Sequence, residues 1–389
     1  MIDRILNLSK SQSFFLFGPR GSGKSTWLRE QFKADAYWID LLNQRMEFDL
    51  AKDPDLLLDR WKANGKKPWI VIDEVQKLPR ILDVVHRGIE EHRIRFALTG
   101  SSARKLRRGG ANLLGGRAAS RELFPFSALE LGALFNLDQA LQFGLLPRLW
   151  TDPNLGASDR VDALFAYVQT YLKEEVAAEQ LVRNLDPFRR FLLSAAQSNA
   201  QIVNQAKLER DAGVPQKQVA RHYEILVDTL IGFFLEPFHG SLRKRQTSKS
   251  KFYFFDTGIV RALKDQAGES LNVSTYEYGE LFETFLMNEF VKLRSALNLH
   301  WTFSYLRTKE GVEIDLIIEK PRGKPTLIEI KSKTSVGPAD VGPLVQLGKA
   351  VEHEQAYVLS RDTHASEIKG IRCLPWAQGL REIFDQPES

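Results

Sequence analysis

A single cysteine, Cys373, stands among 389 residues, so no disulfide can form within the chain and no cysteine-built zinc site exists. Histidine is scarce as well. The seven present are scattered, with no H-E-x-x-H or H-x-H grouping, and all are expected to be structural or superficial. No apolar run approaches the ~18 residues that a bilayer span requires. The opening Met1-Ile2-Asp3-Arg4-Ile5-Leu6 carries an early acid and no small-residue cleavage site, unlike a secretory leader. The expectation is a cytoplasmic protein with no membrane partner. Neither sign of charge dominates: 54 Lys and Arg against 49 Asp and Glu leave +5. That mildly basic balance permits nucleic acid as a partner without requiring it. There is no low-complexity tract and no internal repeat, and 43% hydrophobic with 26% charged residues is ordinary globular composition. The length suggests about two to three domains.

What is present begins with alternation. Phe14-Phe15-Leu16-Phe17, Ala36-Tyr37-Trp38-Ile39, Trp69-Ile70-Val71-Ile72 and Phe96-Ala97-Leu98 are short continuous apolar runs, the form taken by strands buried on both faces of a parallel sheet. Segments of helical spacing, such as 55–62 and 81–91, lie between them, so the N-terminal third reads as α/β. From about Phe126 to Arg190 the strand signals fade. From Phe191 to Phe238 the pattern stays helical, and two helices around Gly213-Val214-Pro215 fit a helix-turn-helix, with 249–255 as the strand part of a winged version. The segment 241–251 holds Arg243, Lys244, Arg245, Lys249 and Lys251 without an acid and reads as an exposed hinge or wing. A helix from Tyr278 and strands at 302–307, 313–318 and 326–330 make a mixed α/β C-terminus.

Gly18-Pro19-Arg20-Gly21-Ser22-Gly23-Lys24-Ser25 has the form G-x-x-x-x-G-K-[ST] between an apolar run and the helical stretch that starts near Thr26. Its glycines let backbone N–H groups turn inward around a phosphate, and the following helix directs its positive end there. Lys24 is placed to reach the β- and γ-phosphates of ATP, and Ser25 to offer its hydroxyl to Mg²⁺. The run Trp69–Ile72 ends in Asp73-Glu74, where ligands bind in open parallel sheets. Asp73 is expected to hold Mg²⁺ and Glu74 to orient and deprotonate the attacking water. After Phe96-Ala97-Leu98 come Thr99-Gly100-Ser101-Ser102. Ser101 is the first choice for sensing the γ-phosphate or the water, with Thr99 second. Of the basic residues that follow, which include Arg104 and Lys105, Arg107 and Arg108 read as a solvated loop or as nucleic-acid phosphate contacts. Arg117, after Gly115-Gly116 and before the strand-like run Arg121-Glu122-Leu123-Phe124, is the stronger candidate for stabilising a transferring phosphoryl group.

Near the C-terminus, Glu313-Ile314-Asp315 precedes Glu329-Ile330-Lys331. Period-2 alternation puts Glu329 and Lys331 on one face, and a hairpin would bring Asp315 to them. Two carboxylates bind a hard cation, and a lysine beside them can position water or stabilise phosphorane charge. An upstream helix with Glu283 and Glu289 offers a further acid. A salt-bridged amphipathic strand would show the same spacing.

These segments carry a resemblance. The phosphate loop, Ile72-Asp73-Glu74-Val75-Gln76-Lys77-Leu78-Pro79, Leu98-Thr99-Gly100-Ser101-Ser102, Gly115-Gly116-Arg117, Phe143-Gly144-Leu145-Leu146-Pro147, Phe254-Phe255-Asp256-Thr257-Gly258 and Gly279-Glu280-Leu281-Phe282-Glu283 together resemble bacterial and archaeal AAA-type ATPases that end in a restriction-nuclease-like domain. One departure is Glu175-Val176 after Tyr171-Leu172-Lys173, where that family often has Arg or Asp. The resemblance implies a ring or arc of subunits with ATP between them, Arg117 acting as an arginine finger on the neighbour's nucleotide, and a restriction-like C-terminal fold. It implies a core over 1–131, a helical lid over 132–190, a winged helix-turn-helix over 191–256 and a nuclease-like domain over 257–389. The expected function is Mg²⁺-dependent ATP hydrolysis in an oligomer, coupled to binding or remodelling of DNA. The alternatives are an ATP-gated nuclease using Asp315, Glu329 and Lys331, and a nucleotide-dependent assembly switch without DNA activity.

Overall fold

A computed structural model describes residues 2–101, 106, 114–171, 185–238, 249–349 and 351–385. Ser102, Arg104, Lys105, Arg107, Arg108, the departure at 172–176 and the basic residues Arg243, Lys244 and Arg245 lie outside the described residues.

The N-terminal part is a five-stranded sheet of β1 (Ser13–Phe17), β2 (Ala36–Asp40), β3 (Trp69–Asp73), β4 (Arg95–Gly100) and β5 (Ala118–Glu122), in the order β2-β3-β4-β1-β5. All four pairings are parallel. The continuous apolar runs have a direct cause: helices cover both faces. Phe15 and Phe17 turn to one side, against Leu57, Trp61, Ile81 and Val85 from the helices Leu56–Ala63 and Ile81–His92. Phe14 and Leu16 turn to the other, against Trp27, Leu28 and Phe32 of the helix Lys24–Phe32. The fifth strand lies about three residues earlier than the run Arg121–Phe124 suggested. Leu123 continues from it, donating its N–H to the Phe17 carbonyl at 2.8 Å.

The remainder is built on a second, mixed sheet. It comprises β6 (Gly232–Pro237), β7 (Lys251–Phe254), β8 (Thr302–Arg307), β9 (Glu313–Glu319), β10 (Thr326–Lys331), β11 (Gln355–Ser360), β12 (Ser366–Ile368) and β13 (Ile371–Pro375). The order is β12-β13-β11-β10-β9-β8-β6-β7. Gly232–Pro237 is a correction to the helical reading of 191–238. The helix Gln216–Asp228 ends as Leu230 takes a left-handed φ of 59°, and the β-favouring Phe233-Phe234-Leu235 then pairs with β7. Because β6 also pairs with β8, the sheet runs across residue 256. The helices Gln205–Ala212 and Gln216–Asp228 flank Gly213, whose φ of 62° turns the chain.

One apolar core extends from Phe126 through the helical middle to Ile383. Its axis is the helix Tyr276–Ala296, with Leu281, Phe282, Phe285, Leu286 and Phe290 all buried. The buried polar residues of this helix, among them Asn288, Glu289 and Lys292, are hydrogen-bonded, as side chains inside a protein must be.

Candidate nucleotide site

β1 delivers the chain into the phosphate loop at the carboxyl edge of the first sheet. Gly21 and Gly23 have φ of 74° and 90°, conformations that side chains disfavour. Gly18 is needed for space, since a Cβ there would run into the Leu123 carbonyl. The helix Lys24–Phe32 starts without a side-chain cap and without an acid in its first turn. Its N–H groups and positive dipole end therefore face the loop uncompensated by any carboxylate. Lys24 is 6% exposed, and its ammonium donates to the carbonyls of Gly18 (2.8 Å) and Pro19 (3.1 Å). The buried Ser22 hydroxyl has no partner among the described residues. A cradle of this form, holding a lysine over its mouth, fits a polyphosphate. Pro19, Arg20, Ser25 and Thr26 complete the same loop and first helical turn.

β4 lies between β1 and β3, so its end stands between the phosphate loop and the acids. Asp73 is buried and accepts from the Thr99 hydroxyl. Thr99 Oγ1 in turn accepts the Glu74 N–H at 3.1 Å. Glu74 holds φ 60°, ψ 46°, a left-handed backbone that costs a non-glycine residue ~1–2 kcal/mol. The strain turns its carboxylate off the strand line, where Gln76 Nε2 donates to it and also to Ser101 Oγ at 3.3 Å. Thr99 thus meets Asp73 directly, whereas Ser101 meets the acids through Gln76. Both sequence candidates for the γ-phosphate or the water, Ser101 and Thr99, thus border the acids, and Gln76, not singled out as a site residue from the sequence, joins them. Its signal was its position two residues after Glu74 in a tight 3₁₀ turn, Val75–Lys77.

Arg117 sits elsewhere. Ala118 is beside Ser13 at the start of β1, and the phosphate loop leaves its far end. Arg117 is therefore about 13 Å or more along the strand from its own loop. It is 41% exposed and paired with Glu90, whose carboxyl it holds below the ordinary range by hydrogen bond and charge.

The second module packs over the loop. Tyr167, Leu146 and Pro147 lie within 4 Å of where Cβ atoms would stand on Gly21 and Gly23. Arg4 binds the loop from the N-terminal segment. It donates to Ser22 O at 3.1 Å, to Phe124 O and to Glu130 Oε1 at 3.0 Å, and lies 4.9 Å from the Phe126 ring centre. Burial lowers its pKa against the pull of Glu130. Asp256, which caps the helix Thr257–Leu263 just after β7, accepts Leu145 N at 2.7 Å and Ile259 N at 3.2 Å, and burial pushes its carboxyl up to about 6.

In the second sheet, β9 and β10 form an antiparallel pair with Leu316 opposite Ile328. Extending that register sets Asp315 opposite Glu329. Asp315 Oδ2 accepts Ile330 N at 2.7 Å, and Lys331 Nζ lies 2.5 Å from Glu329 Oε1. Burial, then the Glu283 charge, raises Asp315 to about 7. Burial, then Asp315, holds Glu329 well above the carboxylate range. Lys331 stays above its ordinary value because Glu329 and Asp315 outweigh its burial. Of the two helical acids, Glu283 belongs here and Glu289 does not. Glu289 is fully buried against Lys292 (3.1 Å) and accepts the Ala128 N–H at 2.7 Å, fastening the first sheet's exit to the long helix. Among the described residues no group of three or more His, Cys, Asp or Glu is arranged to hold a metal. Nor is any described helix long and apolar enough to cross a membrane.

Residues 10–132 match the AAA domain family. The N-terminal third thus carries an AAA domain, and the loop, acids and sheet order just described lie within it. Residues 134–270 match a domain of unknown function (DUF8612), and residues 278–378 match another (DUF4143). No curated protein is matched by the chain. Among solved structures, AMPPCP-bound DnaA from Aquifex aeolicus is similar at 12% identity and a TM-score of 0.25, over 69% of this chain and 91% of that one. A score that low fixes neither fold nor function.

Proposed function

We propose that the protein hydrolyses ATP with Mg²⁺ in an AAA-type oligomer and couples the cycle to binding or remodelling DNA. The observation that carries this reading is the constellation at one sheet edge: the phosphate loop with Lys24, the buried Asp73 held by Thr99, and the strained Glu74 held by Gln76. Gly18 to Thr26 hold the phosphates, with Lys24 exchanging its loop carbonyls for phosphate oxygens. Ser25 and Asp73 hold Mg²⁺, which supplies charge neutralisation on the phosphates. Glu74 takes the proton of the attacking water, and Gln76 fixes the carboxylate's direction. Arg117, remote from its own loop, serves the neighbouring subunit's nucleotide. For DNA, the support is the helix pair 205–228 with the exposed Gln216, Lys217, Gln218 and Arg221 at the start of its second helix. An ATPase assay with and without duplex and forked DNA tests the proposal. Glu74→Gln should bind ATP and lose turnover by about 10²-fold or more, and Lys24→Ala should lose tight binding. Wild-type turnover in Glu74→Gln would remove Glu74 from the mechanism.

A second reading, ATP-gated DNA cleavage, rests on Asp315, Glu329 and Lys331 sharing one face beside Glu283. Linear, forked and single-stranded DNA with Mg²⁺ or Mn²⁺ tests it, and cleavage that survives Asp315→Ala would belong to another site.

A further inference from the structure

The acids of the second sheet are not alone. β7 inserts Lys251 among them, a lysine whose side chain is 5% exposed. Its ammonium lies 3.2 Å from Glu283 Oε1 and contacts Glu313 Oε1, and it feels the charge of Asp315. Tyr253, on the same face of β7, donates to Glu283 Oε1 at 2.6 Å. Arg307 reaches the outer oxygen of Glu313 at 3.4 Å. On the far side Glu329 Oε2 is buried and without a partner among the described residues, although Lys331 holds its other oxygen. Carboxylates from the long helix and from β9 therefore converge on one side-chain cation, and an unsatisfied carboxylate oxygen on β10 remains beside them. Hard divalent cations take oxygen sets of this kind. In this structure Lys251 stands there instead, and among the described residues no three acids are grouped to ligate a metal. A monovalent ammonium and a divalent ion at contact distance from the same oxygens repel one another, so the two occupants exclude each other.

We propose that Lys251 is a built-in cation, carried in by β7, that closes this pocket to divalent metal. The set Glu283, Asp315 and Glu329 is then a latent Mg²⁺- or Mn²⁺-class site that opens only when Lys251 is withdrawn or neutralised. The proposal does not depend on ATP hydrolysis or on DNA cleavage. It departs from the sequence expectation, which placed a ready metal site at the same acids and read Lys251 as part of an exposed basic hinge.

The test is Mn²⁺ binding to the full chain without nucleotide, followed by electron paramagnetic resonance and by thermal melting. Wild type should show no Mn²⁺ that depends on Asp315. Lys251→Gln should gain one Mn²⁺ per chain, at least tenfold tighter than any wild-type binding, and adding Asp315→Asn should remove it. Mn²⁺ should raise the melting temperature of Lys251→Gln and leave wild type unchanged. If Lys251→Gln is unfolded, Mn²⁺ should restore it, and Lys251→Met gives the same readout without a hydrogen-bonding side chain. Wild-type Mn²⁺ binding that Asp315→Asn abolishes would overturn the proposal. So would a folded Lys251 variant that gains none, or failure of Mn²⁺ to rescue both variants.

Discussion

Arg4→Ala removes the clamp between the N-terminal segment and the phosphate loop. The guanidinium and Glu130 side chains are 7% and 5% exposed, so the pair lies out of water. Losing one member of a buried pair typically costs about 3–5 kcal/mol. Glu130 would keep the N–H groups of Ile5 and Ser127, both at 2.9 Å, which places the loss near the lower end, about 3 kcal/mol. At roughly 2–4 °C per kcal/mol for domains of this class, melting should fall by about 6–12 °C. A second effect is local. With the Ser22 carbonyl held outward by Arg4, the planar trans peptide directs the Gly23 N–H the opposite way, into the cradle. Without Arg4 that peptide is free to turn, and loss of one oriented donor should weaken ATP binding about tenfold, or ~1.4 kcal/mol. Arg4→Lys, with one point charge for three directions, should recover part of the stability and little of the affinity. Thermal melting with and without ATP and titration of a fluorescent ATP analogue read both effects. A variant that melts within about 2 °C of wild type and binds ATP equally well would refute the clamp, because a buried pair cannot vanish at so small a cost.

Arg117→Ala should bind ATP yet lose hydrolysis, and mixing it with Lys24→Ala should restore part of the activity at interfaces that join an intact loop to an intact arginine. Absence of rescue in confirmed mixed oligomers would return Arg117 to a structural role. For pH, Asp256 titrates at about 6 in the folded state against an ordinary value of 3.8. A raised carboxyl pKa means that its stability contribution is complete below the unfolded value and lost as pH rises through the folded one. Wild-type stability relative to Asp256→Asn should therefore fall from about pH 4 to pH 6, by ~3 kcal/mol at most, and stay level above. Parallel denaturation curves across that window would show that Asp256 does not titrate there.

Much of the first sheet was legible because its signals are local. Phe14–Phe17 and Trp69–Ile72 announce buried strands by composition alone, and the glycines and Lys24 mark the turn and its cation within eight residues. The misreadings have a common origin. Glu283 and Glu289 are alike in a helical sequence, but six residues of helix turn through about 600°, which leaves them about 120° apart around the axis, so they face different neighbours. Gly232–Pro237 followed a strongly helical segment, and only pairing with β7 and β8 decides its state. Gln76 gains meaning from the left-handed backbone of Glu74, and Lys251 from a sheet whose strands come from opposite ends of the second module. The sequence by itself determined the nucleotide loop, the acidic strand end and the α/β alternation, since covalent neighbours suffice to build them. The tertiary structure alone decided that Arg4 clamps the loop, that Thr99 rather than Ser101 touches Asp73, and that a lysine fills the carboxylate pocket. Those outcomes depend on burial and on contacts between residues distant in the chain, whose energies are set only when the sheets close.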